Sequence, residues 1–202
     1  HTFTTQAKTA SIEEYHEKLT RGLETMNMNN TTTPESEQDC AQTPWWFIKS
    51  LEHYTSLDID LDVCCAANTA KADHYISINE GNDGLKTSYN IFGANYCNPP
   101  YSDIAPWIKK AQEESISGAV TLMLIPDKPE VGYSRLARQY ADTVIHMPFR
   151  LNFLRPDGSE FLDKAGKKQG PKFPVCVYIF TPQGLQMPIR DVYHDFRVGF
   201  KP

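Results

Sequence analysis

The chain reads as an α/β domain in which a mainly parallel sheet is covered by helices on both faces. Three observations carry that reading. From Thr43 onward, apolar runs of strand length alternate with stretches of helical periodicity. Ala119–Ile125 is a near-continuous apolar run, as a strand buried on both faces requires. The tetrapeptide Asn98-Pro99-Pro100-Tyr101 stands between a short strand candidate and a helix candidate. That is where open α/β sheets hold their ligands, outside the carboxyl ends of the strands.

The elements follow in order. Residues 1–42 stand apart as an N-terminal helix and a flexible linker. Ile12, Tyr15, Leu19, Leu23 and Met26 recur at helical spacing and predict an amphipathic helix within 1–26. Its apolar stripe can pack on the core or on a second copy of the chain, forming a homodimer. Residues 27–42 are polar and aperiodic, as a linker is. Residues 43–202 form the main domain. Pro44–Leu51 reads as a short helix with Trp46, Phe47 and Leu51 turned inward. Ile59–Ala66 and Ala94–Cys97 read as strands, and Pro106–Ser115 as a helix. Ala119–Ile125 is a strand closed by Pro126, and Tyr133–Tyr140 is helical. Thr143–Met147 and Leu151–Leu154 read as closely spaced strands that leave room for one antiparallel edge pairing. Pro174–Phe180 is a strong late strand.

Composition sets limits on function. With 202 residues, 40% hydrophobic and 22% charged, the chain has the make-up of a globular protein with a full core. No apolar run approaches the roughly 18 residues of a membrane helix, and the start His1-Thr2-Phe3 carries no secretory pattern. The net charge of −5 excludes a protein coated in basic residues but not a local basic face. The five cysteines include the adjacent pair Cys64-Cys65 and no Cys-x-x-Cys spacing. No zinc ribbon or thioredoxin-like site is implied, no metal is expected, and reduced thiols in a cytoplasmic protein are.

Asn98-Pro99-Pro100-Tyr101 is the strongest chemical signal. An amide oxygen and a prolyl-linked carbonyl converge as acceptors beside an aromatic face. That suits a planar amino group such as N6 of adenine. The other signals are plainer. In Leu61-Asp62-Val63-Cys64-Cys65-Ala66-Ala67-Asn68 an apolar strand ends in small residues, which let a ligand approach the backbone. Asp62 there can receive an ammonium or hydroxyl group. Thr43-Pro44-Trp45-Trp46-Phe47 offers tryptophans that either stack on a ligand or fill the core. Asp83-Gly84 reads as a turn. Lys164-Ala165-Gly166-Lys167-Lys168-Gln169-Gly170-Pro171-Lys172 is the densest basic segment. It is either a solvated mobile loop or a phosphate-contacting one.

In their order, these motifs resemble phage-encoded DNA N6-adenine methyltransferases of the Dam type. The resemblance runs from about Gln42 to Phe180. It rests on Thr43-Pro44-Trp45, Leu61–Ala66, Asn68-x-Ala70-Lys71, Asp83-Gly84-Leu85, Cys97–Tyr101, Leu124-Ile125-Pro126 and Phe173-Pro174. It implies a Rossmann-like class I methyltransferase sheet and S-adenosylmethionine as cofactor. Asn98, Pro99, Pro100 and Tyr101 would be catalytic, with Tyr101 stacking on a flipped adenine. Thr43, Pro44, Trp45, Asp62 and Cys64 would hold the cofactor, and Asp83 its adenosine end. Double-stranded DNA is the implied partner, GATC a reasonable target, and Lys128, Arg135, Arg150, Arg155, Lys167 and Lys168 the candidates for DNA contact. Two features depart from the wider class. Cys64–Asn68 replaces a glycine-rich loop, and the stretch between Asp62 and Asn98 is short enough that one strand–helix unit is reduced or missing. Two other functions stay open: N-methylation of RNA or of a protein glutamine, and a non-catalytic binding role.

Overall fold

The computed structural model describes residues 41–163, 165–169, 173–182 and 188–198, all within one compact unit, Asp39–Pro202. The helix expected within 1–26, and the homodimer through it, lie outside the described residues, as does Cys40. Gln42, expected at the end of a linker, instead exchanges both backbone hydrogen bonds with Leu154, at 2.8 and 2.9 Å.

Among the described residues, helix α1 is Trp45–Thr55, α2 Ala105–Ile116 and α3 Gly132–Tyr140. The strands are β1 Ile59–Asp62, β2 His74–Tyr75, β3 Ala94–Cys97, β4 Val120–Pro126, β5 Thr143–His146, β6 Val175–Phe180 and β7 Arg190–Tyr193. They form one seven-stranded sheet in the order β2-β1-β3-β4-β6-β5-β7. β2, β1, β3 and β4 pair in parallel, and so do β5 and β7. β6 runs antiparallel to both its neighbours, β4 and β5. The antiparallel strand therefore sits inside the sheet, not at its edge. This is the expected Rossmann-like α/β architecture.

Alternation along the strands builds two cores. Leu122 and Leu124 of β4, with Val175 and Val177 of β6, face Phe47, Ile48 and Leu51 of α1. Met123, Ile125, Cys176 and Tyr178 face the opposite way, toward Trp107, Ile108 and Ala111 of α2 and Ala137 of α3. β1 breaks the period, with Ile59 in the first core and Leu61 in the second, and its register against β3 shifts between those two residues.

Several boundaries differ from expectation. β1 stops at Asp62, well short of Ala66, because the Cys64 N–H is taken by the Asp62 carboxylate (3.2 Å) and leaves the ladder. α1 runs on to Thr55. Leu151–Leu154 is not a strand: only Leu154 makes bridges, to Gln42 and Glu160. Between Asp62 and β3 the chain has a two-residue strand and two short 3-10 turns, Ala67–Thr69 and Ile78–Glu80. The strand–helix unit there is reduced, as its length implied.

The β5–β7 edge is tied by a charged network. His146 bonds Asp127 through Nδ1 (2.7 Å) and Asp191 through Nε2 (3.1 Å). Arg138 grips Asp191 with two nitrogens, at 2.7 and 2.6 Å. Burial alone would lower the His146 pKa, but the two carboxylates outweigh it and the net shift is upward. Asp191, gripped by Arg138, stays ionised down to about pH 2. A histidine whose folded pKa is raised stabilises fully below its unfolded value of about 6.5 and loses that contribution as pH rises through the folded value. Urea denaturation across this range should show wild-type stability falling relative to His146→Gln. Parallel pH profiles for the two proteins would refute the assignment.

Candidate functional site

Parallel pairing brings the carboxyl ends of β1, β3 and β4 together. Asp62 lies opposite Tyr96, and Cys97 opposite Met123. The Val63 N–H donates to the Tyr96 carbonyl at 2.9 Å, so Val63-Cys64 leaves the sheet directly beside Asn98. Asn98-Pro99-Pro100-Tyr101 then turns into α2, with the Asp103 N–H on the Pro100 carbonyl (3.1 Å) and Pro106 in the first helical turn, where a missing N–H costs nothing. The Asn98 Oδ1 is buried and accepts no hydrogen bond from any of the described residues. A buried amide oxygen without a donor costs about 1–3 kcal/mol, which an incoming N–H would recover.

Tyr101 stands in an aromatic cluster. Its ring meets Phe173 at 5.8 Å between centroids and Phe153 edge-on at 6.3 Å. The Lys128 ammonium lies 5.0 Å above the Phe173 ring. The Tyr101 hydroxyl is buried without a partner among the described residues, and burial pushes its pKa well above the ordinary phenol value, so it stays protonated.

The cofactor candidates gather around the end of β1. Asp62 is 2% exposed. Its Oδ1 accepts from Cys64 N–H (3.2 Å) and its Oδ2 from Lys71 N–H (3.0 Å). Burial raises its pKa to about 6 despite those bonds and the nearby Lys71 charge. Thr43, also buried, shares a 2.7 Å hydrogen bond with the Tyr96 hydroxyl. Pro44 caps α1, and its carbonyl accepts from Phe47 N–H at 3.0 Å. Trp45, the first helical residue, is 50% exposed, so it is not core. Asp83 accepts from Leu85 N–H (3.0 Å) and pairs with Lys86 (2.8 Å). Partial burial would raise its pKa, but the Lys86 and Leu85 bonds hold it below the usual value. Gly84 does more than turn the chain: a Cβ there would lie 2.1 Å from the Val63 carbonyl oxygen and 2.9 Å from the Trp107 ring. Only glycine lets the Asp83 loop close onto the end of β1.

The basic candidates divide. Lys128 lies against Phe173, as described. Arg155 is half-buried, its guanidinium 5.7 Å from the Phe161 ring and its carbonyl bonded by the Gln42 side chain (2.8 Å). Arg135 is exposed on α3, and Arg150 is exposed after β5. Lys167 and Lys168 stand on a hairpin that pairs Leu162 with Lys168 and turns at Gly166, whose φ is +75°. Residues 165–169 thus lie in the turn of that hairpin, and Lys168 is ion-paired with Glu160.

Sequence reasoning assigned no role to Gln42, Lys71 or Phe153. Lys71 is 3% exposed, and its ammonium donates to Gln42 Oε1 (2.7 Å) and sits 4.9 Å from the Trp45 ring centroid. Lysines are almost never fully buried, so only tertiary structure reveals this one; its place in Asn68-x-Ala70-Lys71 was the available signal. Among the described residues, no group of three His, Cys, Asp or Glu is arranged to hold a metal, and no helix is long and apolar enough to cross a membrane.

Comparison with known proteins agrees with this geometry. Residues 30–182 match the family model described as DNA N-6-adenine-methyltransferase (Dam). The chain is also 26% identical, over 146 residues, to the DNA N-6-adenine-methyltransferase of Haemophilus phage HP1 (strain HP1c1); the match covers 70% of this chain and 82% of that protein.

The close approach at Gly84 yields a direct test. Gly84→Ala should cost about 1–3 kcal/mol through overpacking, read as a lowered thermal midpoint. Gly132→Ala, where nothing lies within 4 Å, should be near neutral. Equal midpoints for both variants would contradict the packing described.

Proposed function

The chain belongs to the DNA N-6-adenine-methyltransferase (Dam) family, and on that premise we propose that it methylates N6 of an adenine flipped out of duplex DNA, using S-adenosylmethionine. The observation that carries the reading is the buried, unpartnered Oδ1 of Asn98 at the carboxyl end of β3.

The residues fit the cofactor. A buried carboxylate, Asp62, suits the ammonium of its amino-acid part, and the Asp83 loop, which closes onto the same strand end through Gly84, suits its adenosine end. When bound, S-adenosylmethionine supplies an electrophilic methyl group on sulfur. Asn98 Oδ1 and the Pro99 carbonyl accept the two N–H bonds of the adenine amino group. Both acceptors gain strength as that nitrogen becomes positive, so they favour the transition state over the ground state. They also draw the nitrogen lone pair out of ring conjugation and aim it at the methyl carbon. The nitrogen becomes acidic once methylated and loses its proton to solvent, so no strong side-chain base is needed.

A base inside a duplex cannot reach Asn98. Extruding it costs a few kcal/mol, and stacking on Tyr101, within its cluster with Phe153 and Phe173, returns roughly 1–3 kcal/mol. Lys128, beside Phe173, and Arg155, beside Gln42, are the first candidates for the flanking phosphates, with Arg135, Arg150, Lys167 and Lys168 as the others. GATC is the target to test first.

Two outcomes are expected. Asn98→Ala should lower methyl transfer to DNA by about a hundredfold or more, the scale for removing one transition-state hydrogen bond, while cofactor binding by calorimetry stays close to wild type. Label from the cofactor should enter duplex DNA in preference to RNA or protein; label in RNA or a protein amide would replace the substrate proposed here. The second outcome concerns pH. Asp62 titrates at about 6, and its protonated form cannot attract an ammonium. Cofactor affinity should therefore fall as pH drops through 6, and Asp62→Asn should remove that step. A flat affinity between pH 5 and 8 would exclude Asp62 as the ammonium partner.

A further inference from the structure

Lys71 is the least explained charge in the domain. It is 3% exposed. Among the described residues its ammonium has one hydrogen-bond acceptor, the neutral Gln42 Oε1 at 2.7 Å, and the Trp45 ring at 4.9 Å. No carboxylate lies within ion-pair distance of it among the described residues; Asp62 meets Lys71 through its backbone N–H. An ammonium carries three donors, so two remain unused. A buried charge in that condition is costly unless something else completes its shell.

Its surroundings limit what that partner can be. Lys71 follows the small-residue segment after β1, and its backbone is fixed on Asp62 at 3.0 Å. Asp62 and Lys71 therefore offer one anion and one cation at the same strand end. On the other side Gln42 is held rigid: its Nε2 bonds the carbonyls of Arg155 (2.8 Å) and Pro156 (3.3 Å), and its backbone pairs with Leu154. Gln42 thus steadies the ammonium without neutralising it. Trp45, half exposed, gives the amine an aromatic wall on the solvent side.

We propose that Lys71 binds the carboxylate of the amino-acid tail of S-adenosylmethionine, so that Asp62 and Lys71 together recognise its zwitterion, the carboxylate taking the ammonium and the ammonium taking the carboxylate. This rests on the cofactor reading above. It gives a role to the Asn68-x-Ala70-Lys71 segment and explains why a lysine, not an apolar residue, fills a buried position.

Calorimetry with three ligands on the full chain tests it. S-Adenosylhomocysteine carries the carboxylate, decarboxylated S-adenosylhomocysteine lacks it, and 5′-methylthioadenosine lacks the whole tail. Lys71→Met should weaken S-adenosylhomocysteine about ten- to a hundredfold, the scale of a hydrogen bond to a charged group. Binding of the other two should change little. Lys71→Gln keeps the polar reach and serves if the methionine variant does not fold; it should show the same selective loss. Equal weakening of all three ligands would mean that Lys71 only braces Gln42 and the chain around it, and would overturn the proposal alone. Wild-type protein that binds none of the three would overturn the cofactor reading and this inference with it.

Discussion

Everything at the site depends on the parallel pairing of β1 with β3. The Val63 N–H on the Tyr96 carbonyl, at 2.9 Å, is the last rung of that ladder. It forces the two chains to part at one level, Val63-Cys64 to one side and Asn98-Pro99 to the other. A buried carboxylate and an unpartnered amide oxygen then stand at neighbouring strand ends. The pairing is reinforced off the backbone, since the Tyr96 hydroxyl reaches Thr43 and ties the start of α1 to the same place. The sheet thereby collects residues from three distant parts of the chain, as open α/β sheets do at their ligand-binding end.

The polar groups gathered there are strained in the electrostatic sense. Asp62 accepts two backbone N–H groups and feels Lys71, yet burial still lifts its pKa to about 6. Desolvation outweighs hydrogen bonding, the reverse of a carboxylate evolved only to hold its loop. Asn98 Oδ1 has no donor, and Lys71 has a neutral acceptor where a buried cation calls for an anion. Among the described residues, a desolvated anion, a cation without a counter-ion and an acceptor without a donor describe a site organised around a polar ligand. A packed core would have satisfied them or replaced them with hydrocarbon.

The sequence was most legible where local pattern and tertiary role coincide. β3 falls on its expected residues, Ala94–Cys97, all of them buried, and β4 is displaced by one and declares its burial on two faces by a near-continuous apolar run. β7 escaped notice because Arg190 and Asp191 are exposed on an edge strand whose pairing owes nothing to apolar alternation. β2 is two residues long, too short for any period. Leu151–Leu154 has the composition of a strand, but Phe153 turns to Tyr101 and Leu154 alone makes bridges. Asn98 could be singled out from its neighbours in sequence. The burial of Lys71 and the contact of Gly84 with Val63 could not, because both arise from residues distant in the chain.

The interior antiparallel strand has a consequence for the site. β5 runs parallel to β4 and ends at His146, at the same end of the sheet as Asn98. β6 must start from that end to run back between them, and it does so with Val175 opposite Pro126. The described residues 147–163, 165–169 and 173–174 between β5 and β6 thus leave and re-enter at the same strand ends. Phe153 and Phe173 close on Tyr101 from among them, and Leu154 to Pro156 meets Gln42. The same residues include Arg155, Lys167 and Lys168. Inserting one reversed strand between β4 and β5 is therefore enough to place an aromatic wall and a basic hairpin on the site in a single stretch of chain. The interior position of β6, more than any one residue, brings that wall to the strand ends.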